Sequence, residues 1–150
     1  MKVTISPVTA LLNASLASIH DLVPIEVGKP DLVYAPVLQT EFGVLIGILG
    51  SIKGRLLILG EKGVFTKAGV AMYGMMPGGE LLESFVGEFG NSVAAHAATK
   101  LSQEKIKIDI TPPTTMQGRV QLGGFKNAIQ VPFRMECDAK GQFILAIEDG

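Results

Sequence analysis

Ser84, Glu88 and Asn91 lie at i, i+4 and i+7 of the segment Glu80-Leu81-Leu82-Glu83-Ser84-Phe85-Val86-Gly87-Glu88-Phe89-Gly90-Asn91-Ser92-Val93. On a helix turning about 100° per residue, this spacing gathers them into one narrow stripe. Such a stripe is either ordinary polar surface or a carboxylate and a carboxamide that project together toward a partner. The carboxylate can pair with a cation. The carboxamide offers a carbonyl acceptor and two N–H donors, so it can orient a water molecule without becoming charged.

The helix that carries them is legible from its other face. Leu82, Phe85, Val86, Phe89 and Val93 cluster on the opposite side and must face a core, which predicts a long helix over residues 80–102. Small residues surround the polar stripe: Gly87, Gly90, Ala95 and Ala98. Two glycines inside a helix cost about 1 kcal/mol each relative to alanine, so they need a reason. They leave either an uncluttered surface from which Glu88 and Asn91 enter a partner's cleft, or room for a neighbouring element to pack closely.

Two more helices are expected before this one. Ser6-Pro7 reads as an N-cap followed by proline in the first turn, and Val8, Leu11, Leu12, Leu16 and Ile19 follow at helical spacing until Pro24. An irregular stretch then runs through Pro30 and Pro36. Val64, Phe65, Ala68, Ala71, Met72 and Met75 form another helical stripe, which Pro77-Gly78-Gly79 ends. Between the two, the apolar runs 42–49 and 56–59 flank Gly50-Ser51-Ile52-Lys53-Gly54, the pattern of a hairpin. Ile106, Ile108 and Ile110 alternate with polar residues before Pro112-Pro113, and strands are expected at 128–136 and 143–148 around the turn Asp138-Ala139-Lys140-Gly141. The predicted class is α+β, a mostly antiparallel sheet packed against about three helices, in one domain over residues 1–150.

Composition narrows the function. The 150 residues are 47% hydrophobic and 18% charged, with 13 Lys+Arg against 14 Asp+Glu, a net charge of −1. That balance gives no footprint for nucleic acid or an anionic membrane. The single Cys137 excludes an internal disulfide, and with only His20 and His96 beside it no zinc site is expected. A cytoplasmic chain without a membrane span follows. Met1-Lys2 and the small-residue stretch after it faintly mimic a secretion signal, but Ser6, Pro7, Thr9, Asn13 and Ser15 interrupt the apolar core that a signal needs.

The triplet Ser84-x3-Glu88-x2-Asn91 resembles the signature of the CheC/CheX/FliY family of response-regulator phosphatases: Asp or Ser, Glu four residues on, then Asn three beyond. The likeness extends through Asn91–Ser102, a small-residue run, and through Ile108-Asp109-Ile110-Thr111-Pro112-Pro113 to Gly118. It covers nearly the whole chain and is most specific between Glu80 and Gly118. The resemblance implies a phosphatase acting on the aspartyl phosphate of a receiver domain such as CheY, in chemotaxis or another two-component pathway. It implies Glu88 and Asn91 as the catalytic pair, with Asn91 placing the attacking water and Glu88 docking on the receiver's lysine. Ser84, Gly87 and Ala95 would contact the partner. No cofactor of the chain's own is implied, because the receiver supplies Mg2+. The first helix has Asn13 but Ala10 three residues before it, so only one copy of the signature is present. A single copy fits the CheX-like branch, which implies a homodimer.

A non-catalytic receiver-binding or flagellar-switch module of the same fold is the alternative. Nucleotide binding has little support, since neither a G-x-x-x-x-G-K-[ST] loop nor a G-x-G-x-x-G turn occurs. His96 is expected near the apolar side of its helix, Cys137 as a buried thiol in a strand, and Met72, Met75 and Met76 as core fillers.

Overall fold

The computed structural model describes residues 6–34, 37–121 and 127–148. In chain order the elements are α1 (Pro7–Leu22), β1 (Glu26–Val27), β2 (Asp31–Tyr34), β3 (Val37–Gly50), β4 (Gly54–Gly60), α2 (Lys62–Tyr73), α3 (Glu80–Gln103), β5 (Ile108–Ile110), β6 (Thr114–Gln121), β7 (Asn127–Arg134) and β8 (Lys140–Ile147). The eight strands form one sheet in which every pairing is antiparallel. Its order is β1-β7-β8-β4-β3-β5, with β2 also on β7 and β6 also on β3. The α+β class expected from the sequence is the one observed.

Local signals explain several element ends. The Ser6 hydroxyl accepts a hydrogen bond from the Thr9 amide at 3.2 Å, and Pro7 occupies the first turn, where its missing N–H costs nothing. The predicted hairpin is β3–β4, with Phe42 opposite Gly60 and Ile48 opposite Gly54. α2 stops earlier than the Pro77-Gly78-Gly79 signal suggested. Gly74 takes the left-handed conformation at φ 74° and its amide closes on the Val70 carbonyl, so Met75 falls outside the helix.

The central strands are buried on both faces. Ile46, Ile48, Leu56, Ile58, Phe143 and Leu145 join α1, α2 and α3 in the main core, and Leu38, Leu57, Leu59, Ala128, Ile144 and Ala146 form a smaller cluster on the opposite face. This double burial is why Leu56-Leu57-Ile58-Leu59 and Phe143-Ile144-Leu145-Ala146 read as runs rather than alternations. The three helices cover one face of the sheet. α1 lies along α3, where the Lys100 ammonium meets Asp21 at 2.9 Å.

Three strands depart from expectation. The stretch after Pro24, expected to be irregular, contains the short edge strands β1 and β2, both paired with β7. β6 has no sequence signal of its own, since Thr114-Thr115-Met116-Gln117-Gly118 lacks apolar alternation. It forms because β3 is long enough to hold β4 along one edge and both β5 and β6 along the other, with a register shift between Thr40 and Gly43. β7 tolerates Pro132 in mid-strand because that residue's carbonyl faces outward and accepts from the Gly28 amide at 2.7 Å, so the absent N–H is not owed to β8.

Candidate functional site

α3 is anchored by the face the sequence predicted. Leu82, Phe85, Val86, Phe89, Val93 and Leu101 are all buried. Glu80 and Glu83 lie in its first turn and Lys100 in its last, signs that suit the helix dipole. Burial of one face fixes the rotation of the helix, and thereby turns Ser84, Glu88, Asn91 and Ala95 outward, all exposed. The carboxylate and the carboxamide project from one ridge, as their spacing predicts. Among the described residues, no partner holds the Asn91 carboxamide.

The glycines beside the stripe answer to packing. A Cβ on Gly90 would come within 2.5 Å of Val44 Cγ1 and 2.7 Å of its Cγ2, so this glycine lets α3 lie against β3. Gly87 is also buried, and its missing side chain faces Thr115 Cγ2 of β6 and Pro113 just before that strand. Of the two roles open from the sequence, close approach is the one seen. Gly87 therefore supports the ridge from behind while Ser84 and Ala95 share its exposed side.

One contact at the site has no sequence signal. The Tyr73 hydroxyl, at the last residue of α2, donates to Glu88 Oε1 at 2.8 Å. Its ring stands edge-on to Phe85, with centroids 5.9 Å apart. The bond to Glu88, followed by burial and the Glu88 charge, holds the phenol's pKa above its usual value. Tyr73 and Glu88 are fifteen residues apart on different helices, so only the tertiary fold joins them.

Several other expectations change. His96 is exposed instead of lying at the apolar side, and its Nδ1 sits 2.7 Å from the Ser92 carbonyl one turn back, a local helix contact. Met75 and Met76 are 70% and 69% exposed, since α2 ends before them, whereas Met72 packs against the core. Cys137 lies in a short 3-10 turn, Glu136–Asp138, rather than in a strand, and its side chain falls outside the described residues.

Two surface hollows, one bounded by Thr40, Glu61, Arg134 and Lys140 and one by Val23, Val70, Met76 and Met135, contain neither Glu88 nor Asn91. The exposed pair thus lies outside both hollows, on a face open to contact by another molecule. Among the described residues, no three His, Cys, Asp or Glu side chains converge to hold a metal ion, and no helix is long and apolar enough to cross a membrane.

Comparison with known proteins places this ridge in a family. The model of the CheC-like family matches residues 82–116, which include the whole polar stripe and the β5–β6 segment behind Gly87. The CheY-P phosphatase CheX of Thermotoga maritima is 31% identical over 149 residues, covering 95% of this chain and 96% of that protein. Two solved structures share the fold. CheX of Vibrio vulnificus superposes with a TM-score of 0.77 at 21% identity, covering 92% of this chain and 99% of that one. The CheX–CheY–BeF3–Mg2+ complex of Borrelia burgdorferi does so at 0.76 and 23%, covering 97% and 100%. With near-complete coverage of a relative at that identity, and with the family model falling on the helix that carries Glu88 and Asn91, this chain belongs to the CheC/CheX/FliY family.

Proposed function

We propose that this single-domain chain is a protein aspartyl-phosphate phosphatase that accelerates hydrolysis of the phosphorylated receiver domain of a CheY-like response regulator. The observation that carries the reading is the exposed pair Glu88 and Asn91, one turn apart on the outward face of α3. The activity in the name of the Thermotoga maritima relative and the presence of CheY in the Borrelia burgdorferi complex support it.

The chemistry follows from what each group can do. Glu88 pairs with the receiver's lysine through a charge-assisted hydrogen bond and sets the depth of docking. Asn91 then reaches the phosphoryl group. Its amide orients a water in line with the bond to the aspartyl oxygen. The water oxygen bonds to phosphorus, the P–O bond to the aspartyl carboxylate breaks with its electron pair going to that oxygen, and inorganic phosphate and free aspartate result. Phosphoryl transfer demands little covalent participation from the catalyst, so positioning is a sufficient role. A neutral amide adds no repulsion toward the anionic phosphoryl group. Mg2+ comes with the receiver, whose charge it balances, in keeping with the Mg2+ of that CheX–CheY complex. Ser84 and Ala95 line the contact on either side.

A single copy of the signature, as in the CheX-like branch, would further make the chain a cytoplasmic homodimer with one ridge per protomer, and light scattering on the purified protein tests the dimer. The decisive measurement is decay of phosphorylated receivers with and without the chain. Accelerated loss of phosphate supports the phosphatase. Binding without acceleration would instead make it a receiver-binding or switch module of the same fold.

A further inference from the structure

We propose that Tyr73 is a positioning residue for Glu88: its hydroxyl fixes one carboxylate oxygen so that the carboxylate is aimed at the partner before docking. The role rests on the phosphatase reading above and extends it to a second helix.

The geometry is unusual for a surface tyrosine. Tyr73 is 54% exposed, yet both its ring and its hydroxyl are engaged. The ring stands edge-on to Phe85 at 5.9 Å, Phe85 stacks on Phe89 at 6.1 Å, and Phe89 meets Phe65 edge-on at 6.1 Å. This chain of rings runs from the fully buried Phe65 to the surface and holds the phenol from its inner end. Gly74 fixes it from the other side, because its left-handed turn ends α2 immediately after Tyr73. At the outer end the hydroxyl donates to Glu88 Oε1 at 2.8 Å.

The chemical type of the donor matters. An exposed glutamate samples several rotamers and loses that freedom when it docks, so a carboxylate already tethered binds at a lower entropic cost. A lysine or arginine at position 73 would tether it too, but would neutralise its charge and compete with the partner's cation. A phenol donates while staying neutral, and Oε2 remains available. The hydrogen bond to Glu88, then burial and the Glu88 charge, hold the phenol's pKa above its usual value, the direction expected of a hydroxyl that donates to a carboxylate.

Steady-state dephosphorylation of a phosphorylated receiver tests the role. Tyr73→Phe keeps the ring on Phe85 and removes only the hydroxyl. The expected result is a KM raised about three- to tenfold with kcat nearly unchanged. In a Glu88→Ala background the same substitution should change nothing, because the phenol acts only through that carboxylate. An unchanged KM, or a KM effect that persists without Glu88, would overturn the proposal. A second readout needs no substrate. With the other tyrosine removed as Tyr34→Phe, the ultraviolet titration of Tyr73 should lie above that of a free phenol and fall back in Glu88→Ala. A titration already at the ordinary value would show that the bond is absent in solution, which also overturns the role. Failure of the underlying reading has its own mark: the unaltered chain would neither bind the phosphorylated receiver nor hasten its decay, and the role would fall with it.

Discussion

On the proposed mechanism, replacing Asn91 by alanine isolates the catalytic step from both folding and docking. The Asn91 side chain is exposed and unpartnered among the described residues, so its removal breaks nothing inside the fold. Alanine is the better helix former, by about 0.5 kcal/mol, and the variant should melt at the same temperature or slightly higher. Docking through Glu88 and Ser84 is untouched, so KM should stay within about twofold. The whole penalty then falls on placement of the water. Loss of one preorganised hydrogen-bonding group costs about 10²–10³ in rate, equivalent to about 2.7–4 kcal/mol of transition-state stabilisation. The assay is phosphate release from a phosphorylated receiver under multiple turnover, with thermal unfolding run in parallel. Asn91→Asp extends the test, because it keeps the shape and brings a negative charge against the phosphoryl group. It should be at least as inactive as the alanine variant. A kcat for Asn91→Ala within about threefold of the unaltered chain would remove the amide from the mechanism.

Other substitutions probe the ridge and its support. Glu88→Gln should raise KM and flatten its dependence on salt, since the charge proposed to pair with the receiver's lysine is gone, as a titration of activity between low and high ionic strength would show. Gly90→Ala sets a methyl group against Val44 and should destabilise the fold by about 1–3 kcal/mol of overpacking, offset by about 1 kcal/mol of helix propensity; denaturant unfolding measures the sum, and adding Val44→Ala should recover part of the loss. The Asp21–Lys100 pair predicts a pH dependence. The hydrogen bond from Lys100, and then its charge, hold the Asp21 pKa below the usual carboxylate value, so the pair's contribution is present above that value and is lost as pH falls through the lowered one. Because both side chains are well exposed, the effect is small: Asp21→Asn should lower the melting temperature slightly at pH 7 and leave it unchanged near pH 2.

The sequence was informative wherever one face of an element is buried. Leu82, Phe85, Val86, Phe89 and Val93 fix how α3 is rotated, and that rotation carries Ser84, Glu88 and Asn91 to the outside whatever the neighbours are. Ser6-Pro7 and the glycine-bounded hairpin likewise act within a few residues, so their outcome is local. What the sequence left open depends on contacts between distant segments. β1, β2 and β6 are edge strands whose pairing comes from β7 and β3 rather than from any alternation of their own. The purpose of Gly87 and Gly90 could not be read until Thr115 and Val44 were seen to fill the space beside them. Gly74 ended α2 early, leaving Met75 and Met76 exposed and setting Tyr73 at the helix end. Periodicity along one helix can say which side chains point together. It cannot say which residue of another helix will meet them, and the hydrogen bond from Tyr73 to Glu88 is a contact of that kind, made when α2 and α3 settle on the same core.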